Sequence, residues 1–366
     1  MNISQKEDKK VRTTVRHKTA TLRLLAVLGL GTVLLVPACS TSSSATGTGG
    51  ATAGSSDSKN FTFDNVVKLS GSTWFERMGV GVQAFSKATG TQTYQEGPAQ
   101  PTAEQQVSMI TSLIPQHPTA IGVDPDDVGA SEGVLAQAQK AGIIVVSQEA
   151  ATMQNTDFDL EAFNNATYGK DMMDALATCM GGQGQYAAFV GGLTVSAHME
   201  WVSAALSEDK AKYPGITRVG SGPYVSNESE TTAYQETQQI LAKYPHIKGF
   251  EGSASVDLPG IAKAVEAAGL AGKVCIVGTA EPVLAKQYIE NGTVYEGFVW
   301  DPSLAGEATM YAAQALAEHK KVTTGTDLHV PGYTDIQPCG PGTTSHCFEG
   351  NAELRLTKAN IGQYNF

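Results

Sequence analysis

The chain has 366 residues, with 25 Lys+Arg against 36 Asp+Glu and a net charge of −11. That balance repels phosphate backbones and anionic ligands at long range, which excludes nucleic acid as a partner and leaves neutral or cationic small molecules. Beyond its N-terminal segment the chain is too long for one ordinary domain and fits two of about 150 residues each.

Residues 1–38 read as an export leader. Lys6, Lys9, Lys10, Arg12, Arg16, Lys18 and Arg23 form a basic start, and "LLAVLGLGTVLLVPA" follows as an apolar core shorter than the ~20 residues of a membrane span. "VPAC" then reads as a lipobox, with Cys39 as the lipidated residue. A plain secretory signal with a coincidental cysteine is the alternative. The Ser/Thr/Gly/Ala-rich stretch at 39–59 is a flexible linker that cannot bury a core. Without the leader, 18 basic residues face 34 acidic ones, a net charge of about −16.

Next comes a βα rhythm. "NVVKLS" is a strand, "FERMGVGVQAFSKATG" a helix ended by Gly90, and "QTYQEG" a strand. "TAEQQVSMITSLIPQ" is a helix capped by Thr102, "TAIGVD" a strand, "ASEGVLAQAQKAG" a helix ended by Gly142, and "IIVVSQ" a buried strand. "DFDLEAFNN" breaks the alternation, and the programme restarts. "YGKDMMDALATCMGG", "AHMEWVSAALSEDKAKYP", "TTAYQETQQILAKYP" and "LPGIAKAVEAAGL" are helices, interleaved with the strands "YAAFVGG", "ITRVGSGPY", "IKGFEGS" and "KVCIVGT". The Gln-rich helix, proline and short strand of the first half recur in the second, as does an Ala-rich helix leading to an apolar strand and a terminal glutamate.

The fold class expected is therefore α/β, two Rossmann-like lobes with parallel sheets joined by a three-stranded hinge. The chain crosses at "DFDLEAFNN", again at "YEGFVWDPS" before the helix "AGEATMYAAQALAEHKK", and a third time near "PGYTDIQP". Lobe I is then 60–161 plus 300–332, and lobe II is 162–299 plus 333–366. An exported chain permits disulfides. Cys339 and Cys347 bracket a Gly/Pro-rich loop that closes easily; Cys179 and Cys275 are either the second pair or two small buried hydrophobes, and three pairings exist.

Ligands of parallel α/β sheets sit outside the carboxyl ends of the strands. That rule selects Lys68, Ser70, Ser72, Trp74 and Phe75 after the first strand, then Asp124, Asp126, Asp127, Gln148 and Glu149 in lobe I. Lobe II supplies Thr194, His198, Trp201, Ser253, Ser255, Asp257, Thr279 and Glu281, and the crossing strand supplies Trp300 and Asp301. Carboxylates, amides and hydroxyls suit the hydroxyls of a sugar, and aromatic faces suit its C–H face. Asp126, Asp127 and Asp257 also fit as helix N-caps.

Catalytic patterns are weak. "GASEG" matches G-x-S-x-G, but "DPDDVGA" separates Ser131 from its strand, whereas a nucleophile elbow needs the serine at the strand end. The "GVG" at 79–81 lies inside a helix and lacks a third glycine, so a dinucleotide fingerprint is rejected. No catalytic residue, cofactor or metal site is expected, and an exported hydrolase using Ser131 is the minor alternative.

"VVKLSGSTWF", "YPHIKGFEGSASVDLPGIAKAVEAAGL", "VCIVGTAEPVLAKQYIENGTVYEGFVWDPSLAG" and the closing "LTKANIGQYNF" together make the chain resemble the type I periplasmic substrate-binding proteins of bacterial ABC importers. The resemblance is to the sugar-binding branch, nearest the autoinducer-2 and rhamnose binding proteins. It implies two Rossmann-like lobes around a ligand, a monomer, and delivery of a neutral sugar or polyol to an ABC permease and its ATPase subunit, with the membrane touched only through the anchor. An autoinducer-2-type receptor or sensor partner is the alternative. Lys68 matches the first-strand lysine of the autoinducer-2 receptors. Ala197 and His198 replace their acidic residue and glutamine before the second-lobe helix, their carboxylate after the second-helix strand falls near Gly129, and their Pro and Ala ligands fall near Ser253 and Ser255. In the wider branch, positions equivalent to Gln148, Glu149, Ser255 and Trp300 touch the sugar.

Overall fold

Short polar caps start several helices of this chain, and two left-handed glycines, Gly90 and Gly181, end two of them. The computed structural model describes residues 60–366; the leader, Cys39 and the linker lie outside them. In chain order the first half runs β1 (Thr62–Val66), α1 (Thr73–Thr89), β2 (Gln92–Glu96), α2 (Ala103–Leu113), β3 (Ala120–Val123), α3 (Val128–Lys140), β4 (Ile144–Gln148) and β5 (Phe158–Glu161). Ser72 caps α1 by accepting the Phe75 N–H at 3.3 Å, and Gly90 ends it at φ 77°. Asp127 caps α3 through the Ala130 N–H at 2.9 Å. Thr102 stands at the N-cap of α2, but its side chain makes no capping bond.

The second half runs α4 (Asn165–Met180), β6 (Gly184–Val190), α5 (Ser196–Lys212), β7 (Ile216–Arg218), β8 (Tyr224–Val225), α6 (Glu230–Lys243), β9 (Ile247–Gly252), α7 (Asp257–Ala267), β10 (Cys275–Thr279), α8 (Pro282–Glu290) and β11 (Glu296–Val299). Then follow α9 (Pro302–Ala317), β12 (Gln337–Pro338), β13 (Cys347–Glu349) and β14 (Leu354–Leu356). "ITRVGSGPY" is thus two short strands, broken where Gly220 takes φ 88°. "DFDLEAFNN" contributes a strand before it crosses.

Two sheets result. The first has the order β12-β13-β5-β4-β3-β1-β2 and the second β14-β11-β10-β9-β6-β7, with β8 beside β6. Pairing is parallel except for β12 with β13 and β14 with β11. Strands such as β3 and β6 are apolar over almost their whole length because helices cover both faces. The helices α1 and α9 pack on one face of the first sheet, α2 and α3 on the other; α4 and α5 cover one face of the second, α6 and α7 the other. Two α/β lobes follow.

One expected boundary moves. The sequence pattern places residues 333–366 in lobe II, with a crossing near "PGYTDIQP". Instead β12 and β13 extend the first sheet, with Cys347 in register with Asp159, and the chain reaches the second sheet only at β14. A two-strand hairpin with little apolar periodicity gives no sign of which edge it will join; the free edge beside β5 is what recruits it.

Both disulfides form. Cys339–Cys347 closes the hairpin loop, and Cys179–Cys275 ties the last turn of α4 to the start of β10 across 96 residues of sequence. The small-hydrophobe alternative for the second pair is overturned. Replacing Cys179 and Cys275 together by serine is expected to lower stability by about 2–4 kcal/mol, since a loop of that length stays open in the unfolded chain. Replacing Cys339 and Cys347 releases a much shorter loop and should cost less. Denaturant titration of the two double variants checks the order.

Candidate functional site

The carboxyl ends of β1, β4, β9, β10 and β11 converge on one gap between the lobes. Lobe I supplies Lys68, Leu69, Ser72, Trp74, Phe75 and Glu149; lobe II supplies His198, Trp201, Glu228, Ser253, Ser255, Val256 and Thr279; Trp300 stands at the second crossing. The chain has three tryptophans, and all three line this gap.

The aromatic wall is preassembled. Trp300 sits edge-on to Trp74 at 4.7 Å between ring centroids and to Phe163 at 5.1 Å, with Trp201 at 5.8 Å. Trp201 is oriented by donating its Nε1–H to Asn165 Oδ1 at 2.7 Å, and Tyr168 bonds Thr279 behind the wall at 2.8 Å. Rings locked this way offer flat apolar faces at little entropic cost on binding.

The polar side centres on Lys68, which is 4% exposed. Its Nζ lies 3.3 Å from Asp124 Oδ1, 3.4 Å from Glu149 Oε2 and 5.9 Å from the centre of the Phe75 ring. Burial alone would lower the Lys68 pKa; Asp124, Glu149 and Glu228 outweigh it and raise it, so the ammonium stays charged. Burial, and then Glu149, raise Asp124 well above the carboxylate range despite Lys68. Burial also raises Glu228, with Lys68 opposing. His198 goes the other way: burial, then Lys68, lower it well below its ordinary value. Its ring is therefore neutral, and the 4.0 Å approach to Glu228 is not an ion pair. Because Nδ1 accepts the Gly191 N–H at 3.2 Å, Nε2 carries the proton and is the donor.

Glu149 and Glu228 share a backbone feature. Both hold left-handed conformations, φ 54° and 51°, which are uncommon for residues with a side chain. The two carboxylates lining the gap are thus set by backbone held in a sparsely populated region, a pattern that concentrates at ligand sites. Glu228 Oε1, Ser253 Oγ and Trp300 Nε1 are buried there without a protein partner.

Of the residues singled out from sequence, Lys68, Ser72, Trp74, Phe75, Glu149, His198, Trp201, Ser253, Ser255, Thr279 and Trp300 meet on the lining. Ser70, Asp126, Asp127, Thr194 and Asp257 do not line it, nor do Asp124, Gln148, Glu281 and Asp301. Asp124 stands behind Lys68 as its buried counterion. Gln148 is buried at the end of β4. Glu281 precedes α8 and accepts a hydrogen bond from Thr73 across the gap, tying the lobes together. Asp301 caps α9 through the Ser303 N–H and pairs with Arg77 through two bonds of 2.9 and 2.6 Å. Helix-cap positions and ligand positions coincide at strand ends, which is why sequence alone merged them. Leu69, Val256 and Glu228 were missed. Glu228 follows β8, the fragment hidden in the broken strand, so no strand end pointed to it. Ser131 lies within α3, fully buried, and its Oγ donates to the Asp127 carbonyl at 2.9 Å. It is spent inside a helix rather than raised on a strand-end turn.

A family model described as the periplasmic binding protein domain matches residues 63–321. Among solved structures, LsrB from Clostridium saccharobutylicum in complex with AI-2 is 24% identical with a TM-score of 0.76, over 83% of this chain and 100% of that one. An ABC transporter solute binding protein from Clostridium phytofermentas with bound L-rhamnose is 22% identical with a TM-score of 0.77, over 83% of this chain and 98% of that one. A carbohydrate transporter solute binding protein from Agrobacterium radiobacter in complex with D-arabinose is 19% identical with a TM-score of 0.72, over 83% and 96%. These structures share the fold, as the quoted motifs implied. With the family match running from the first strand of lobe I through lobe II and back into α9, the chain belongs to the periplasmic binding protein domain family.

Proposed function

We propose that the chain is an extracytoplasmic solute-binding protein that captures a neutral sugar or polyol and delivers it to an ABC permease and its ATPase subunit. It works as a monomer held at the membrane through lipid on Cys39. Among the described residues no helix is long and apolar enough to cross a membrane.

The supporting observation is the composition of the gap. Fixed aromatic faces from both lobes surround Glu228 Oε1, Ser253 Oγ and Trp300 Nε1, buried polar atoms that have no protein partner. Hydroxyl groups both donate and accept, so a sugar satisfies carboxylate, indole N–H and serine at once. Each such bond to a charged group is worth roughly 1.5–3 kcal/mol, and a few suffice for micromolar affinity. Contacts from both lobes favour the closed state, which is how ligand shifts the lobe equilibrium.

Thermal-shift screening against pentoses, deoxyhexoses, tetritols and pentitols tests the reading. One class is expected to raise the melting temperature, and Glu228→Gln and Ser255→Ala are expected to reduce that rise while leaving the unliganded melting temperature near wild type. Trp300→Ala is a poorer probe, since a cavity among Trp74, Phe163 and Trp201 would cost about 3–5 kcal/mol by itself. No shift with any sugar or polyol, or an unchanged shift in both variants, would count against the site. Lys68, at the position of the first-strand lysine in autoinducer-2 receptors, favours a second reading as a receptor for that signal. AI-2 belongs in the same screen.

A further inference from the structure

Apart from the crossings, the lobes touch along a seam outside the gap. Thr73, the first residue of α1, donates its hydroxyl to Glu281 Oε2 ahead of α8. One turn further along α1, the Arg77 guanidinium lies over the Phe366 ring, 5.2 Å from its centre. Phe366 travels with lobe II, because its carbonyl accepts the Val283 N–H of α8 at 3.0 Å. A further bond stands well away from the crossings. Thr194 Oγ1, in the turn after β6, donates to the Asp126 carbonyl, in the turn after β3, at 3.2 Å. β4 separates β3 from the crossing strand β5, and β9 and β10 separate β6 from the crossing strand β11. A contact so placed breaks early when the lobes rotate apart about the crossings.

None of Thr73, Arg77, Asp126, Thr194, Glu281 and Phe366 lines the gap. Their contacts join protein to protein and have the same strength whatever solute is bound. Glu281 is 1% exposed, so water competes little for the bond that its carboxylate accepts from Thr73. Its other oxygen, Oε1, is buried without a hydrogen-bond partner, a cost of contact that offsets part of that bond. The seam therefore holds the lobes without locking them, and they can still part to admit a solute.

We propose that the Thr73–Glu281 and Thr194–Asp126 bonds, with Arg77 on Phe366, form a latch that holds the lobes together in the ligand-free chain and sets the balance between open and closed forms. Such a latch slows both entry and exit: solute enters only the open fraction, and leaves only after the same bonds break. It rests on the reading of the gap as a solute site between moving lobes, but its first test needs no solute.

Small-angle X-ray scattering of the ligand-free full chain compares wild type with Thr73→Val/Thr194→Val. Both threonines are exposed, and valine keeps their shape while removing the donated bonds. A larger radius of gyration is expected in the variant, and Glu281→Ala should show it too, from the other lobe. Glu281→Gln, whose amide oxygen still accepts from Thr73, should keep the wild-type profile. Stopped-flow tryptophan fluorescence with the best ligand of the screen is the second arm. In Thr73→Val/Thr194→Val the dissociation rate constant should rise about tenfold, as for loss of one hydrogen bond to a charged group, and the association rate constant should rise with it. Loss of a residue that only touches solute would speed dissociation alone. Superimposable scattering from wild type, Thr73→Val/Thr194→Val and Glu281→Ala would overturn the latch. Faster dissociation with unchanged association would overturn it too, by placing the bonds in the bound state only. If no sugar or polyol binds, the scattering decides by itself, and the latch stands or falls apart from the proposed function.

Discussion

Lys68→Met is expected to lower stability by about 3–5 kcal/mol, the cost of leaving buried charge without its partner. The ammonium is the cation that Asp124 and Glu149 share, at 3.3 and 3.4 Å, and all three side chains are nearly inaccessible to water. Glu228 adds a third negative charge within its influence. Removing Lys68 therefore leaves Asp124 and Glu149 buried without the charge that faces them. Adding Asp124→Asn to Lys68→Met should recover part of the lost stability, because one of the stranded charges goes with it. It should not recover ligand affinity, since the donor facing the gap is still missing. Urea unfolding of the single and double variants checks the first outcome, and thermal shift with the best ligand of the screen checks the second.

Gly81→Ala is expected to be comparably severe, though it changes no charge and touches no ligand. A Cβ at Gly81 would lie 1.7 Å from the Ser303 carbonyl oxygen and 2.6 Å from its carbon, so backbone must move. Gly306 answers it from the other helix, where a Cβ would come within 2.8 Å of the Met78 carbonyl. These glycines let α1 and α9 cross in near backbone contact. Trp74 and Phe75 sit at the start of α1, while Trp300 and Asp301 lead into α9, so forcing the helices apart pulls the aromatic wall open. A loss of about 3 kcal/mol or more is expected, at the upper end for overpacking because the obstacle is rigid, together with weakened binding. Gly79→Ala is the control. Its Cβ meets only the end of the Gln95 side chain at 3.2 Å, and alanine's better helix propensity, about 1 kcal/mol, offsets the adjustment. Its effect should stay within about 1 kcal/mol. Thermal denaturation of both variants separates the two glycines of "GVG".

The two glycines of that tripeptide also mark how far the sequence can be read. The position of "GVG" inside a helix was enough to reject a dinucleotide loop, but only the approach of α9 explains why one glycine is needed. Periodicity and caps placed most strands and helices because each depends on neighbours within a turn or a pleat. The duplicated order of a Gln-rich helix, proline and short strand exposed the two lobes for the same local reason. The β12–β13 hairpin was assigned to the wrong lobe because its partner, β5, lies more than 170 residues away and its sequence has no alternation to read. In the site, residues directly after strand ends, such as Lys68, Glu149 and Ser255, were legible from the strand-end rule. Asp301 and Glu281 obey the same rule yet hold Arg77 and Thr73 instead, a choice made by the neighbouring helix. Glu228 depends on a left-handed turn after a two-residue strand, a feature without a local signature.

Tryptophan fluorescence reads the gap directly, because Trp74, Trp201 and Trp300 are all the tryptophans the chain has and all line it. Titration of the purified chain with the pentose, deoxyhexose, tetritol and pentitol panel should give, for one class, a saturable change in emission with a dissociation constant of about 1 μM or tighter. Emission that stays flat across every neutral sugar and polyol, while another class of solute quenches or shifts it, would contradict the account.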